Sequence, residues 1–126
     1  MRRKPLFWIR SSRRGLKRFP GDVLDVIGRA LDEAQWGRKS REAKPLKGFG
    51  GAGVLEIVDD YDGNTYRAVY TVRFSKAVYV LHCFQKKSKK GIATPKAELD
   101  IIKSRLVDAE KEYEKWVEEE RDEEED

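Results

Sequence analysis

The stretch from Val54 to Gln85 constrains the fold more than any other part of the chain, because it contains three strand-like segments joined by short turns. Val54–Val58 is followed by the turn-forming run Asp59–Thr65. Tyr66–Phe74 then places apolar or aromatic side chains at every second position, and Val78–Gln85 follows a tight turn. Such alternation is typical of a strand with one buried face. Short connections make consecutive strands antiparallel neighbours, so this stretch predicts a β-meander.

Helices are predicted upstream of the meander. Leu6–Ile9 is strand-like in composition, and Ser11-Ser12 supplies suitable N-caps for a short helix over Arg13–Phe19. Pro20-Gly21-Asp22 opens a second helix, which Gly37 ends. The apolar residues of this second helix recur in steps that place them on one buried face, namely Val23, Val26, Ile27, Ala30, Leu31 and Ala34.

A long helix is predicted after the meander. Thr94 is expected to cap it, with Pro95 at its first position. Its buried stripe comprises Leu99, Ile102, Leu106, Ala109, Tyr113 and Trp116. Arg38–Gly53 has no periodicity and several glycines, so it is predicted to be a loop. The order β-α-α-β-β-β-α predicts an α+β fold, an antiparallel meander sheet flanked by helices, in a single domain over residues 1–116.

The net charge of +4 conceals two oppositely charged regions. Residues 117–126 hold eight acidic residues and one arginine, which leaves 26 basic and 15 acidic residues in positions 1–116. A domain with so large a basic excess attracts polyanions such as phosphate backbones. The acidic tail is expected to be disordered or to form a fraying helix end. The alternative is that the tail folds back and competes with nucleic acid for the basic surface.

The use of cysteine and histidine narrows the possible chemistry. Cys83 is the only cysteine, which excludes an internal disulfide and a cysteine-based metal cluster. His82 is the only histidine, so we expect no metal site and no cofactor. His82 is interpreted as a packed or hydrogen-bonded strand residue, and Cys83 as a small buried one. No apolar run approaches the length of a bilayer, so we expect a soluble, cytoplasmic protein without a membrane partner.

A basic cluster leaves the end of the last meander strand and comprises Lys86, Lys87, Lys89 and Lys90. It is either an ordinary solvated loop or a phosphate-binding group. Arg67 lies on the neighbouring strand and can converge on it, and a guanidinium can hold a phosphate with two hydrogen bonds. Crowded ammonium groups favour a neutral amine among them, and a neutral amine can act as a general base.

The loop that contains Lys44 and Lys47 allows two interpretations. Its glycines can provide a flexible connection between secondary-structure elements. Alternatively, the two lysines and an exposed Phe49 form an edge that binds phosphates and stacks on bases. The glycine run Gly48–Gly53 lacks the ending of a P-loop, so a nucleoside triphosphate site is not expected here.

Four segments carry a resemblance to a known family, namely Lys44-Pro-Leu-Lys-Gly-Phe-Gly, Val54-Leu-Glu-Ile-Val, Thr65-Tyr-Arg-Ala-Val-Tyr-Thr-Val and the run from Tyr79 to Pro95. From about Trp8 to Leu106, the chain resembles the phage-derived HigB-like branch of the RelE/ParE toxin superfamily. The resemblance implies a RelE-like sheet and a cognate helix-turn-helix antitoxin as partner. It also implies metal-independent cleavage of mRNA, usually on the ribosome.

The resemblance also assigns roles to individual residues. Arg67 matches the strand arginine that holds the scissile phosphate. Lys86 and Lys87 match the basic residues at the end of the next strand, and Phe84 matches the aromatic beside them. Further RNA contacts are expected from Lys44, Lys47, Lys89 and Lys90. The acid-base histidines of some HigB proteins have no clear counterpart, which leaves the general base open between Lys86 and Lys87.

Two other functions remain open beside a toxin that cuts mRNA. The first is a non-cleaving module that binds RNA or the ribosome through the same basic surface. The second is a poison of DNA gyrase, as on the ParE side of the superfamily. Cleavage produces new 3′ ends in message, a binding module produces none, and a gyrase poison produces DNA breaks.

Overall fold

The computed structural model describes residues 2–51, 53–86 and 93–125. In chain order, its elements are β1 (Leu6–Trp8), α1 (Ser12–Lys17), α2 (Gly21–Gln35), β2 (Ala43–Pro45), β3 (Val54–Tyr61), β4 (Asn64–Thr71), β5 (Val78–Lys86) and α3 (Lys96–Glu125). The predicted α+β class, with a meander and flanking helices, is confirmed. The element order differs from the prediction by one additional strand, β2.

The five strands form one sheet in the order β1-β5-β4-β3-β2. The strands β3, β4 and β5 form the predicted antiparallel meander, and β2 adds a further antiparallel strand to it. β1 instead pairs with β5 in parallel, with Phe7 opposite Tyr79, so the sheet as a whole is mixed. A parallel pair requires a long connection. Here residues 9–77 lie between the two strands, which is why local sequence patterns did not predict their pairing.

The additional strand β2 lies within the segment predicted to be a loop. It pairs with β3 at the edge of the sheet and places Lys44 opposite Glu56. Three residues are too few for a recognisable alternation. Pro45 also argues against a strand unless the strand lies at an edge, where a missing N–H is tolerated. The loop prediction is therefore wrong for Ala43–Pro45.

The β3–β4 hairpin turns at Asp62 and Gly63, within the predicted turn-forming run Asp59–Thr65. Both residues have positive φ, 51° and 81°, as a two-residue type I′ turn requires. The strands continue right up to this turn, so Asp59 and Asp60 belong to β3 and not to the turn. The hydroxyl of Thr65 donates a hydrogen bond to Asp60 at 2.9 Å across the hairpin.

Each face of the sheet carries its own apolar core. On the α2 face, Val23, Ile27 and Leu31 of α2 pack against alternate residues of β3, β4 and β5. On the α3 face, the predicted stripe of α3 is confirmed and covers residues such as Val69 and Tyr79. A fully buried side chain of this size contributes about 1.5–3 kcal/mol to stability.

Two irregularities decide which side chains reach the α3 face. β4 ends at Thr71, so Phe74 packs on the α3 face and not beside Tyr66 as predicted. In β5, the register passes from Val69 opposite His82 to Tyr70 opposite Val80, which makes Leu81 an extra residue. A bulge of this kind redirects a side chain. Leu81 packs in the α3-face core, and His82 contacts α3 as well.

Candidate nucleic-acid interface

A cleft of about 320 Å³ opens on the α3 face, where β2, β3 and β4 approach the first turn of α3. It is lined by Lys44, Pro45, Leu46, Lys47, Glu56, Val58, Arg67, Ala93, Thr94 and Leu99. Three of the residues predicted to bind RNA therefore share one cavity. Of these three, Lys44 and Lys47 are exposed at the surface, whereas Arg67 is buried.

Arg67 is bound by a carboxylate and a hydroxyl. Its Nη1 lies 3.4 Å from Oε1 of Glu56 and donates to the hydroxyl of Thr94 at 2.9 Å. The Thr94 hydroxyl in turn donates to Oε2 of Glu56 at 2.9 Å. The side chains of Arg67 and Glu56 are only 4% and 6% exposed. Because a buried charge is costly unless it is paired, these contacts explain how the interior accommodates the guanidinium.

Lys44 extends the buried pair toward the solvent. Its ammonium lies 4.0 Å from Oε1 of Glu56, and its own side chain is 67% exposed. One carboxylate is thus shared by two cations, so the cleft keeps a positive excess even though Glu56 neutralises one charge. This excess favours an anion at the mouth of the cleft.

Phe49 does not serve as an exposed stacking platform, and that part of the prediction is wrong. Its side chain is 6% exposed and packs in the α3-face core with Leu46. The backbone carbonyl of Phe49 accepts a hydrogen bond from the guanidinium of Arg73. The apolar residues of this segment anchor it to the core, and only its lysines face the cleft.

Phe84 and Lys86 lie on β5 beside the cleft. Phe84 is directly opposite Arg67 in the β4–β5 register. The ammonium of Lys86 donates to the carbonyl of Ala93 at 3.4 Å, one residue before the threonine that Arg67 binds. The predicted convergence of Arg67 and Lys86 is therefore present in the structure, at two consecutive residues. Lys87, Lys89 and Lys90 lie outside the described residues.

Thr94 does not cap α3 as predicted. The helix begins at Lys96, and the carbonyl of Pro95 accepts the first helical hydrogen bond, from Leu99 at 3.0 Å. The hydroxyl of Thr94 is instead committed to Glu56 and Arg67. A buried ion pair competes for this hydroxyl more strongly than a helix terminus does, because charge-assisted hydrogen bonds are the stronger ones.

His82 lies in a second polar group on the α3 face. Arg105 donates to Nδ1 of His82 at 3.1 Å, so Nε2 carries the hydrogen and donates to Glu98. Phe84 stacks on the imidazole with ring centroids 4.8 Å apart. Burial lowers the pKa of His82 and Arg105 lowers it further, whereas Glu98 opposes both. Both ring nitrogens are engaged, as expected for a hydrogen-bonded structural histidine.

Cys83 points to the α2 face and is buried in its core. Burial raises the pKa of its thiol to about 12, which leaves the thiolate scarce near neutral pH. The interpretation as a small buried residue is confirmed. Among the described residues, no group of His, Cys, Asp and Glu side chains is placed to hold a metal ion.

The sequence analysis missed Glu56, Glu98 and Arg105 as members of these polar groups. Glu56 interrupts an otherwise apolar strand, Val-Leu-Glu-Ile-Val, and that position is the one signal that could have identified it. Glu98 and Arg105 lie three and ten residues beyond Pro95, where the helix was predicted to begin, among many exposed charges of α3. Nothing in their local pattern distinguishes them.

A protein-family model agrees with the predicted phage-derived relationship. Residues 14–107 match the family model described as Phage derived protein Gp49-like (DUF891). The chain therefore belongs to this phage-derived family. No curated protein matches it. One chain in the crystal structure of the toxin-antitoxin complex RelBE2 from Mycobacterium tuberculosis is similar, with 19% identity and a TM-score of 0.45 over 68% of this chain and 100% of that chain.

The acidic tail continues α3 as helix as far as Glu125. Because a helix rises 1.5 Å per residue, Val117 lies about 27 Å along α3 from Leu99, which lines the cleft. An unbroken α3 therefore keeps the tail away from its own cleft, which argues against the folding-back alternative.

Within the described ranges, no helix is both long enough and apolar enough to cross a membrane.

Proposed function

We propose that this protein is the toxin of a toxin-antitoxin pair and that it cuts mRNA without a metal ion. The observation that carries the proposal is the cleft on the α3 face, where Lys44 and Lys47 surround a buried Arg67. Membership of the phage-derived Gp49-like family supports the toxin assignment. The basic excess of residues 1–116 supports an RNA substrate.

The proposed reaction is an internal transesterification. A base removes the proton from a ribose 2′-hydroxyl, whose oxygen attacks the adjacent phosphorus. The new O2′–P bond forms as the P–O5′ bond breaks, and the departing 5′-oxygen takes up a proton. The products are a 2′,3′-cyclic phosphate and a free 5′-hydroxyl, so neither an oxidant nor a second substrate is needed.

The cations of the cleft stabilise the negative charge that grows on the phosphate. Lys44 and Lys47 are the exposed groups that a phosphate meets first. Arg67 lies one layer below and adds its field, although Glu56 shares its charge. Preorganised cations of this kind contribute roughly 10²–10³ in rate. The base remains Lys86 or Lys87 in this proposal, with Phe84 beside them.

The proposed partners are mRNA on the ribosome and a cognate helix-turn-helix antitoxin. The family resemblance supports both. The neighbouring reading frame provides a direct check of the antitoxin, because it should encode a small helix-turn-helix protein that relieves growth arrest.

The first test is cleavage of message by purified protein, with and without ribosomes and in the presence of EDTA. Expected products carry 2′,3′-cyclic phosphate and 5′-hydroxyl ends. The double variant Lys44→Ala/Lys47→Ala should cut at least roughly tenfold more slowly, because it removes the exposed cations at the cleft mouth. The matched control is Lys103→Ala/Lys111→Ala, which removes two exposed charges from α3.

The test of the base uses Lys86→Ala. Loss of a general base costs roughly 10²–10⁴ in rate, so this variant should no longer arrest growth when expressed without antitoxin. Arg67→Lys should also lose activity because a lysine keeps the charge but not the planar guanidinium that holds Glu56 and Thr94 in place. If intact message is recovered with the wild-type protein, the choice falls to a non-cleaving RNA-binding module. Accumulated DNA breaks would indicate a gyrase poison instead.

A further inference from the structure

A second cleft lies across the edge strand β2 from the first. It also measures about 320 Å³ and is lined by Lys4, Ala34, Gly37, Arg38, Lys39, Pro45, Leu55 and Val72. Leu55 and Val72 belong to the α2-face core or pack against it, so this cleft opens on the opposite face of the sheet. Pro45 lines both clefts and forms the wall between them.

The cations of the second cleft stand on backbone that is held in place. The N–H of Gly37 bonds to Ala34 at 3.0 Å, and the N–H of Arg38 bonds to Glu33 at 2.9 Å. Together with the φ of 78° at Gly37, these bonds form a Schellman motif that ends α2. Arg38 and Lys39 therefore leave the helix in a fixed direction, and both side chains are exposed.

Lys4 is held beside them by a buried side chain. The N–H of Lys4 donates to the carbonyl of Gln35 at 2.8 Å, and Nε2 of Gln35 donates back to the carbonyl of Lys4 at 2.8 Å. Gln35 is only 6% exposed. Three cations from two separate segments are thus positioned around one apolar floor, to which Ala34, Leu55 and Val72 contribute.

We propose that the second cleft binds a nucleotide of the same RNA strand that enters the first cleft. An apolar floor accommodates the face of a base, and a rim of cations accommodates its phosphates. Lys44 lines the first cleft next to Pro45, which lines both clefts, so a strand that crosses β2 meets basic residues on each side of this edge. This inference rests on the proposed function, which identifies the polyanion as RNA. It adds the path that the RNA strand takes across the protein.

The test measures binding of single-stranded RNA that is 2′-O-methylated and therefore cannot be cut. The double variant Arg38→Ala/Lys39→Ala should bind a long RNA about tenfold more weakly. The slope of log affinity against log salt should fall by about 1.4, since each phosphate contact on a single strand contributes about 0.7. The Lys103→Ala/Lys111→Ala control should change neither quantity, although it loses the same charge.

Length dependence provides the second measurement. A dinucleotide can fill one cleft only, and β2 separates the two. The Arg38→Ala/Lys39→Ala substitutions should therefore weaken the binding of a dinucleotide only slightly. They should weaken the binding of a long RNA much more. Equal affinity and equal salt slope for long RNA in both proteins would overturn the proposal.

Three further outcomes separate this proposal from the alternatives. Cations near the end of α2 also complement its dipole. If the variant unfolds more easily and yet binds RNA as wild type does, that structural role is the correct one and the proposal fails. If the variant binds RNA normally but escapes neutralisation by the antitoxin, the cleft belongs to a protein partner. Wild-type protein that binds RNA across both clefts without cutting it would contradict the proposed function and leave this inference standing.

Discussion

The two faces of the sheet draw on alternate residues of the same strands and bury them equally well. On β4, Tyr70 faces α2 and is 0% exposed, whereas Arg67 faces α3 and is 4% exposed. The difference lies in their partners. The α2 face is almost entirely apolar, but the α3 face includes Glu56, Thr94 and His82 in hydrogen-bonded groups. Burial alone therefore does not distinguish core from candidate site in this fold, and the distinction comes from paired polar groups.

The largest expected effect comes from removing the buried carboxylate. Glu56→Ala leaves Arg67 in the interior without its counter-ion, which should lower the free energy of unfolding by about 3–5 kcal/mol. Urea denaturation measures the change. Glu110→Ala, at an exposed position of α3, should alter stability by less than about 0.5 kcal/mol.

A double variant sharpens this result. Glu56→Leu/Arg67→Met replaces both charges with apolar side chains of similar size, and such replacements are often neutral or stabilising. We expect it to recover most of the stability lost in Glu56→Ala and to lose RNA cleavage. If the double variant is as unstable as Glu56→Ala, the ion pair of Glu56 and Arg67 does not determine how well the α3 face packs.

The sequence predicted those parts of the fold that depend on local pattern. The helix faces of α2 and α3 and the Asp62-Gly63 turn all follow from spacing over a few residues. Features that depend on distant pairing were not predicted. The parallel pairing of β1 with β5 joins strands that residues 9–77 separate in the chain, and β2 is too short to show a pattern.

The candidate site divides in the same way. Arg67, Lys44 and Lys47 were identified because cations at strand and loop positions suggest phosphate binding, and the structure places all three in one cleft. Glu56 and Thr94 were missed as partners because an ion pair depends on which residues the register brings together. Glu56 is 11 residues from Arg67 in the chain, and Thr94 is 27 residues away.

An intermediate effect is expected from His82, and it depends on pH. Burial holds the pKa of folded His82 below the usual 6.5, so the unfolded chain binds the proton more readily. Stability is therefore fully present above about pH 6.5 and falls as the pH drops toward the folded pKa, by up to about 1.4 kcal/mol per pH unit. His82→Asn keeps an amide oxygen where Nδ1 accepts from Arg105, loses the hydrogen bond of Nε2 to Glu98, and has no proton to gain. Unfolding measured between about pH 7.5 and 5.5 should be less pH-dependent in this variant, and parallel curves would contradict the assignment.

The smallest effect is expected on the α2 face. Among the residues that the structure describes, the hydroxyl of Tyr70 has no hydrogen-bond partner, and burial raises its pKa to about 12. Tyr70→Phe removes an unpaired buried group, so stability should stay the same or rise by up to about 1 kcal/mol.

Its neighbour Thr71, equally buried, donates to the carbonyl of Gly53 at 2.8 Å. The N–H of Arg73 donates to this hydroxyl at 3.2 Å, so Thr71→Val should cost about 1–3 kcal/mol because that N–H loses its acceptor, whereas the carbonyl of Gly53 keeps the N–H of Val72. Equal losses of stability in the two variants would contradict this prediction, because they would mean that the hydroxyl of Tyr70 is hydrogen-bonded. The two faces would then differ less in the pairing of their polar groups.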